Sequence, residues 1–170
     1  MKGFIKTDLN ELKISPFDSI GNGWMLIGAA DGERANAMTA SWGALGVLWG
    51  RNVFYCHIRP QRYTFELAEK TDTLTLSVFG GEYKKELSYM GKESGRNTDK
   101  LSNCALKCIV EDGKVYFEEA ELVLVGKKLY TSDMKPEKFL DPSIIDRYYP
   151  ASDFHRTYVC EITEAYVKER

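Results

Sequence analysis

The chain has 170 residues, 44% of them hydrophobic and 12% aromatic, which predicts a single domain, residues 1–170, with a sizeable buried core. Its formal net charge of −2 argues against binding to nucleic acid or to an anionic membrane surface, because both attract basic proteins. The N-terminus lacks the apolar core of a secretory signal, and no run approaches the ~18 apolar residues of a membrane span. We therefore expect a cytoplasmic protein.

The cysteines and histidines offer little for a metal site. None of the four cysteines has CxxC spacing and the chain has only two histidines, so no zinc site is expected. Cys104 and Cys108 are four residues apart and would share one face of a helix. Free thiols in a reducing compartment are the favoured interpretation, and a metal or redox pair is the alternative.

The first part of the chain predicts strands separated by turns. Residues 1–23 contain Pro and Gly turn signals and leave room for one short strand. Residues 24–30 are apolar throughout and end at Asp-Gly, which indicates a buried strand. Residues 36–43 contain the β-formers Thr39 and Trp42 and end at glycine, so they predict another strand.

The next part predicts two strands around a short helix. Residues 53–59 alternate, so one face is apolar and the other can meet a ligand, and Pro60 closes this strand. Thr64 is a fair N-cap for a short helix over residues 65–70. Residues 73–79 give the cleanest alternation, with hydroxyls on one face.

The second half predicts one more helix and further strands. Residues 82–90 have helical spacing and end at Gly91, and residues 92–100 are a polar, turn-rich loop. Further strands are predicted at 115–117, 120–130 and 158–167, with a connection at 133–153 that holds at most short helices. Many strands with few helices and no regular strand–helix alternation predict a mainly β, antiparallel barrel with short helical insertions rather than a doubly wound sheet.

Two segments suit one ligand that is flat and apolar at one end and doubly negative at the other. Residues 36–43 supply small hydroxyls and one broad aromatic, and residues 58–64 supply two arginines and a helix start. Flavin mononucleotide (FMN) has that shape. Arg59 and Arg62 would bind its phosphate, because a guanidinium can donate to two phosphate oxygens at once.

Other groups complete this hypothetical site. Thr64 and Ser41 would offer hydroxyls to the phosphate, together with the first amides of the helix. Trp42 and Phe79 would form the wall of the flavin ring, and Lys92 is a candidate cation beside the reduced ring. The flavin would carry the redox chemistry, so no side chain has to act as a nucleophile.

Each feature also has a purely structural interpretation. Arg59 and Arg62 would then be surface ion-pair partners of Glu66 and Glu69, and Trp42 a core residue. The polar loop that holds Lys92 would be a solvated turn, and the hydroxyls of residues 73–79 would lie on a barrel surface. His57 and His155 would be structural, because neither has the partners of a catalytic triad at a recognisable spacing.

Five phrases of the sequence, in the same order, resemble the flavin reductase-like family and most of all its flavoredoxin branch. They are residues 36–42 (NAMTASW), 58–64 (IRPQRYT), 73–77 (TLTLS), 82–85 (EYKK) and 91–100 (GKESGRNTDK). The likeness runs from about residue 24 to residue 162, which is nearly the whole chain.

This resemblance implies an FMN-binding split β-barrel, a homodimer with flavin near the subunit interface, and electron transfer from NAD(P)H or another donor. By motif match, the residues at or beside the FMN are Asn36, Met38, Thr39, Ala40, Ser41, Trp42, Arg59, Arg62, Thr64, Ser77 and Lys92.

One departure from the family pattern bears on function. Free-flavin reductases of this family carry Gly-Asp-His near the last strand, implicated in nicotinamide binding, whereas residues 152–155 here read SDFH. The sequence therefore favours an oxidoreductase that passes electrons through bound FMN. The alternatives are an NAD(P)H:flavin oxidoreductase that releases reduced flavin and a flavin-binding module without catalytic activity. No G-x-G-x-x-G segment supports a Rossmann nucleotide site.

Overall fold

The computed structural model describes residues 1–169, which form an eight-stranded antiparallel sheet, a separate two-stranded hairpin, four short α-helices, one π-helix at Phe17–Asn22 and three 3₁₀ turns. The strands are β1 (Phe4–Lys6), β2 (Met25–Ala30), β3 (Ala35–Ala40), β4 (Gly43–Leu48), β5 (Arg51–Ile58), β6 (Thr73–Val78), β7 (Cys108–Glu111), β8 (Lys114–Phe117), β9 (Leu122–Asp133) and β10 (Arg156–Lys168). The helices are α1 (Tyr63–Lys70), α2 (Lys84–Lys92), α3 (Lys100–Asn103) and α4 (Ser143–Tyr148).

The large sheet curls into an open barrel. Its strands follow the order β3-β2-β6-β9-β10-β5-β4, and β1 adds to β10. The two ends of this path, β3 and β4, are consecutive in the chain and joined only by Ser41 and Trp42, so the sheet must bend until its ends approach each other. The ends do not pair with each other. The predicted antiparallel split barrel is confirmed.

Two apolar cores lie on opposite faces of the central strands. Ile27 of β2 belongs to the first core, inside the barrel, and Leu26 belongs to the second, beneath α2 and the β7–β8 hairpin. Both faces of β2 are therefore buried, which is why its sequence is apolar throughout. A Cβ on Gly28 would lie 2.5 Å from Thr75 Oγ1 and 2.6 Å from the Val115 carbonyl oxygen, so only glycine lets the hairpin pack this closely.

Several element boundaries differ from the prediction. Helix α2 continues through Gly91 to Lys92. The predicted shared helix face of Cys104 and Cys108 is wrong, because Cys104 follows α3 and Cys108 begins β7. The hydroxyl face of β6 is buried rather than on a barrel surface, since the second core covers it. The connection at 133–153 holds only a 3₁₀ turn and α4, as predicted.

Within residues 1–169, no helix has the length and apolar character needed to cross a bilayer. In the same part of the chain, no three His, Cys, Asp or Glu side chains are grouped to hold a metal ion, and all four cysteines are free thiols.

Candidate functional site: a cleft with an aromatic and a cationic end

A cleft of about 200 Å³ opens where the barrel fails to close. Its walls come from the end of β3, the link to β4, the end of β5 and the segments that follow β5 and precede β10. The lining residues are Met38, Thr39, Ala40, Ser41, Trp42, His57, Arg59, Arg62 and His155.

The link between β3 and β4 forms one wall. The prediction of one strand over residues 36–43 is wrong at this point, because the strand stops at Ala40 and β4 starts at Gly43. Ala40 pairs with β2 whereas Gly43 pairs with Cys56 of β5, so the chain crosses from one end of the sheet to the other. A Cβ on Gly43 would lie 2.7 Å from the Tyr55 carbonyl oxygen, and the crossing therefore requires glycine.

We call Trp42, Tyr148 and His155 the aromatic end of the cleft. The Trp42 ring packs edge-on against Tyr148, with 5.1 Å between ring centroids, and lies 5.2 Å from the His155 ring. Trp42 keeps 39% of its surface exposed. It is therefore held in place by neighbouring rings and still available to a planar ligand.

Both histidines lie at this end as neutral rings. Burial lowers the pKa of His57, and burial together with the charge of Arg59 lowers the pKa of His155 to about 4. His155 Nδ1 is 2.8 Å from the Tyr149 hydroxyl, and His57 Nδ1 is 3.0 Å from the Thr157 hydroxyl. The interpretation of both histidines as purely structural missed that they line the cleft. The alternation of residues 53–59 places His57 on the ligand-facing side, and His155 ends the SDFH segment, which the sequence marks only as a departure from the Gly-Asp-His pattern.

Arg59 is bound to the segment before β10. Its guanidinium forms an ion pair with Asp153, donates to the Tyr148 carbonyl oxygen at 2.8 Å and lies 5.0 Å from the centre of the Tyr149 ring. The positive charge of Arg59 is therefore largely balanced by one carboxylate. The same contacts fix the segment that carries Tyr148 over the aromatic end.

Arg62 and Lys100 form the cationic end. Arg62 Nη1 donates to the Gly91 carbonyl oxygen at 2.8 Å, and within residues 1–169 no carboxylate oxygen lies within 4 Å of its guanidinium. Burial, then repulsion by Arg59, lowers the pKa of Arg62. Lys100 is only 2% exposed, and burial followed by repulsion from Arg62 lowers its pKa to about 8. This end thus carries positive charge that the neighbouring side chains do not neutralise.

The proposed surface ion pairs of the two arginines are wrong. Glu66 accepts from Arg96 Nε at 2.8 Å, and Glu69 accepts from Arg156 at 2.6 Å. These carboxylates lie on α1 and are already paired with other cations, so they do not reach Arg62.

Thr64 does not cap α1. The helix begins at Tyr63, Arg62 occupies the N-cap position without a side-chain cap, and the Thr64 hydroxyl accepts from Asn36 Nδ2 at 2.8 Å. Both side chains are buried, and the Asn36 amide requires an acceptor there. Thr39 likewise donates from its hydroxyl to the Leu87 carbonyl oxygen of α2. The strand that lines the cleft is thereby attached to both helices beside it.

The remaining predicted residues lie around the cleft rather than on its surface. Asn36 and Thr64 are buried beside it, Lys92 is an exposed residue at the end of α2, and Ser77 is 1% exposed on β6 with no hydrogen-bond partner among residues 1–169. Their roles at a cofactor remain predictions. Phe79 as a ring wall is wrong, because its side chain is buried in the second core against Tyr83 and Phe117.

No protein-family model and no curated protein matches this sequence. Solved structures match its fold. A flavoredoxin from Methanosarcina acetivorans has a TM-score of 0.67 at 19% identity, covering 94% of this chain and 76% of that one. An FMN-binding protein from Thermus thermophilus with bound p-hydroxybenzaldehyde has a TM-score of 0.66 at 21% identity, covering 86% and 71%.

A third structure widens the functional range of the matches. An NADH:FAD oxidoreductase from Streptomyces globisporus, in complex with NAD and FAD fragments, has a TM-score of 0.62 at 13% identity, covering 84% of this chain and 73% of that one. At identities this low, these structural matches establish the fold alone. The chain has the split-barrel fold of the FMN-binding, flavin reductase-like proteins and flavoredoxins.

Proposed function

We propose that the chain binds FMN in this cleft and acts as an oxidoreductase that passes electrons through the bound flavin. The observation that carries the proposal is the cationic end, where Arg62 and Lys100 donate to carbonyls of the same helix end and no carboxylate among residues 1–169 lies within 4 Å of either. A buried and a half-buried cation this close together are costly unless an anion offsets their charge. A phosphate dianion meets that need and matches the guanidinium geometry.

The other end of the cleft fits the flavin ring. Trp42 offers an exposed aromatic face, and His57 and His155 are neutral imidazoles, so a flat, uncharged ring can cover them without desolvating a charged group. The distribution of charge along the cleft therefore matches the two ends of FMN. When bound, the flavin supplies the capacity to accept and donate one or two electrons.

The residues of the protein bind and orient the FMN. Arg62 binds the phosphate, and the Ser41 hydroxyl and backbone amides of residues 38–41 donate along the cleft. The Arg59–Asp153 ion pair holds the segment of Tyr148 against Trp42, which fixes the aromatic end. Lys92 remains the predicted cation for the reduced ring.

A second candidate is an NAD(P)H:flavin oxidoreductase that releases reduced flavin. The exposed face of Trp42 favours it, because an open aromatic end leaves room for a nicotinamide to approach, and the fold is shared with the Streptomyces NADH:FAD oxidoreductase. The SDFH segment favours the first candidate, since its aspartate is occupied by Arg59.

The two candidates differ in flavin retention and donor use. We expect protein purified and desalted without added flavin to keep the visible absorbance of oxidised FMN. We expect anaerobic NADH or NADPH to bleach that absorbance slowly, if at all. Rapid NAD(P)H oxidation that requires added flavin would favour the second candidate. A colourless protein that free FMN does not saturate would refute both.

We also propose that the chain forms a homodimer. An exposed aromatic pair on the β4–β5 turn and β9 supports it: Trp49 is 61% exposed, Tyr130 is 50% exposed, and their ring centroids are 6.2 Å apart. Such a patch is expected to be covered by a partner. Native mass spectrometry should give twice the chain mass, and a monomer at micromolar concentration would contradict the proposal.

A further inference from the structure

The carboxyl end of α2 is held by two cations that belong to different parts of the chain. Lys100 Nζ donates to the Met90 carbonyl oxygen at 2.9 Å and to the Glu93 carbonyl oxygen at 3.1 Å. Arg62 donates to the Gly91 carbonyl oxygen in the same turn. The end of a helix carries partial negative charge on its unpaired carbonyls, and both cations offset it.

Lys100 has an unusual environment for a lysine. It is almost fully buried, and within residues 1–169 it has no carboxylate within 4 Å. Lysine is rarely buried unless its charge is used. The charged groups that act on it are Arg62, which repels it, and Glu93 and Cys104. Its ammonium therefore binds the carbonyls at the end of α2, next to Arg62.

We propose, on the basis of the function proposed above, that Lys100 is a positioning residue that keeps the Arg62 guanidinium available to the FMN phosphate. Lys100 satisfies two carbonyls at the end of α2, so Arg62 needs to donate to only one and its other N–H groups remain for the ligand. Without the lysine, Arg62 would be the one side chain among residues 1–169 that donates to the carbonyls of Met90, Gly91 and Glu93. The helix carbonyls would then compete with the phosphate for its N–H groups.

The test compares FMN with riboflavin, which has the same ring and no phosphate. The variants are Lys100→Met, which removes the charge and the donors, and Lys100→Gln, which keeps one donor group. Lys85→Met is the matched control, because Lys85 is an exposed lysine in the first turn of α2, at the opposite end of the helix from the carbonyls that Lys100 contacts. Quenching of flavin fluorescence gives the dissociation constant of each flavin.

We expect Lys100→Met to weaken FMN binding about tenfold, Lys100→Gln to weaken it less, and Lys85→Met to leave it unchanged. Riboflavin binding should stay within about twofold in all three variants, because the ring does not meet the cationic end. In a background of Arg62→Met, the further change Lys100→Met should have no effect on FMN, since the lysine acts through the arginine.

Three outcomes would overturn the inference. The first is an equal loss of FMN and riboflavin affinity in Lys100→Met, which indicates a purely structural role. The second is an undiminished effect of Lys100→Met in the Arg62→Met background. The third is loss of the native circular dichroism spectrum in both Lys100 variants, which would show that the fold itself needs the lysine. Failure of the unaltered protein to bind FMN would instead refute the proposed function.

Discussion

The two ends of the cleft handle positive charge in different ways. At the aromatic end, Arg59 is paired with Asp153 and both histidines are neutral. At the cationic end, Arg62 and Lys100 donate, among residues 1–169, only to backbone carbonyls. The aromatic end is therefore close to electrical neutrality, and the cationic end is positively charged. This difference would orient a ligand that has one negatively charged end.

The contrast is sharpest between Arg59 and Arg62, which are three positions apart in the chain. The sequence predicts that both of them bind the phosphate. In the folded chain, Asp153 neutralises the first, whereas the second is left without a carboxylate among residues 1–169. An arginine that is already paired stabilises the protein framework, and an unpaired one is available for an anion. Substitutions at the cationic end should therefore lower the affinity for FMN more than that for riboflavin, whereas loss of the aromatic face should lower both affinities alike.

The largest effect is expected from Arg62→Met. It removes the unpaired guanidinium, so we predict about a hundredfold loss of FMN affinity and a change within about threefold for riboflavin. Flavin fluorescence titration measures both. Arg51→Met is the control, because Arg51 forms an exposed ion pair with Glu161 away from the cleft and should leave both affinities unchanged. Equal losses for FMN and riboflavin would remove the phosphate role of Arg62.

Trp42→Ala should have a smaller effect and no preference between the two flavins. The change removes the aromatic face shared by both ligands, and we predict about a tenfold loss of affinity for each. The same titration tests this. An unchanged riboflavin affinity would show that the ring does not lie against Trp42.

Arg59→Met should weaken FMN binding only a few-fold, because Asp153 already balances its charge. The change also leaves Asp153 with Gln61 as its remaining side-chain partner and releases the Tyr148 carbonyl, so the segment before β10 should open more often. Hydrogen exchange of the Tyr148 to Asp153 amides would detect this. A loss of FMN affinity as large as that of Arg62→Met would contradict the distinction between the two arginines.

The smallest effect concerns stability and pH. The pKa of His155 is about 4 in the folded protein and about 6.5 in an unfolded chain, so the unfolded state takes up more protons between these values. The contribution of neutral His155 to stability is therefore fully present above pH about 6.5 and declines as the pH falls toward about 4. The melting temperature should fall less between pH about 7.5 and about 5 in His155→Gln than in the parent protein. Equal falls would contradict this account.

Local patterns predicted most of the fold. The apolar run of β2, the alternation of β5 and β6, and the proline after β5 each reflect neighbours along one strand, which the sequence contains. The break at Ser41 and Trp42 depends on pairing with two strands at opposite ends of the sheet path, so no local signal marks it. Because Ser41 and Trp42 lie within a segment of β-forming residues, the sequence predicts that the strand continues through them.

Only part of the candidate site can be predicted from the sequence, because some of its residues come together only in the folded chain. Residues of the cleft that lie in the two recognised segments, such as Trp42 and Arg62, were found from composition and resemblance. His155 and Lys100 reach the site from distant parts of the chain; each ends a segment compared with the family, SDFH and residues 91–100, but neither segment indicates that these two side chains approach the cleft. Thr64 was assigned a helix cap because hydroxyls commonly serve there, but the buried amide of Asn36 uses it instead.

The most direct test of the account is the ratio of the dissociation constants of riboflavin and FMN for the unaltered protein. If the cationic end binds the phosphate, FMN should bind at least about a hundredfold more tightly than riboflavin, and the ratio should shrink as salt concentration rises. Equal affinities, or no binding of FMN at saturating concentration, would contradict the central claim that this cleft holds a flavin by its phosphate.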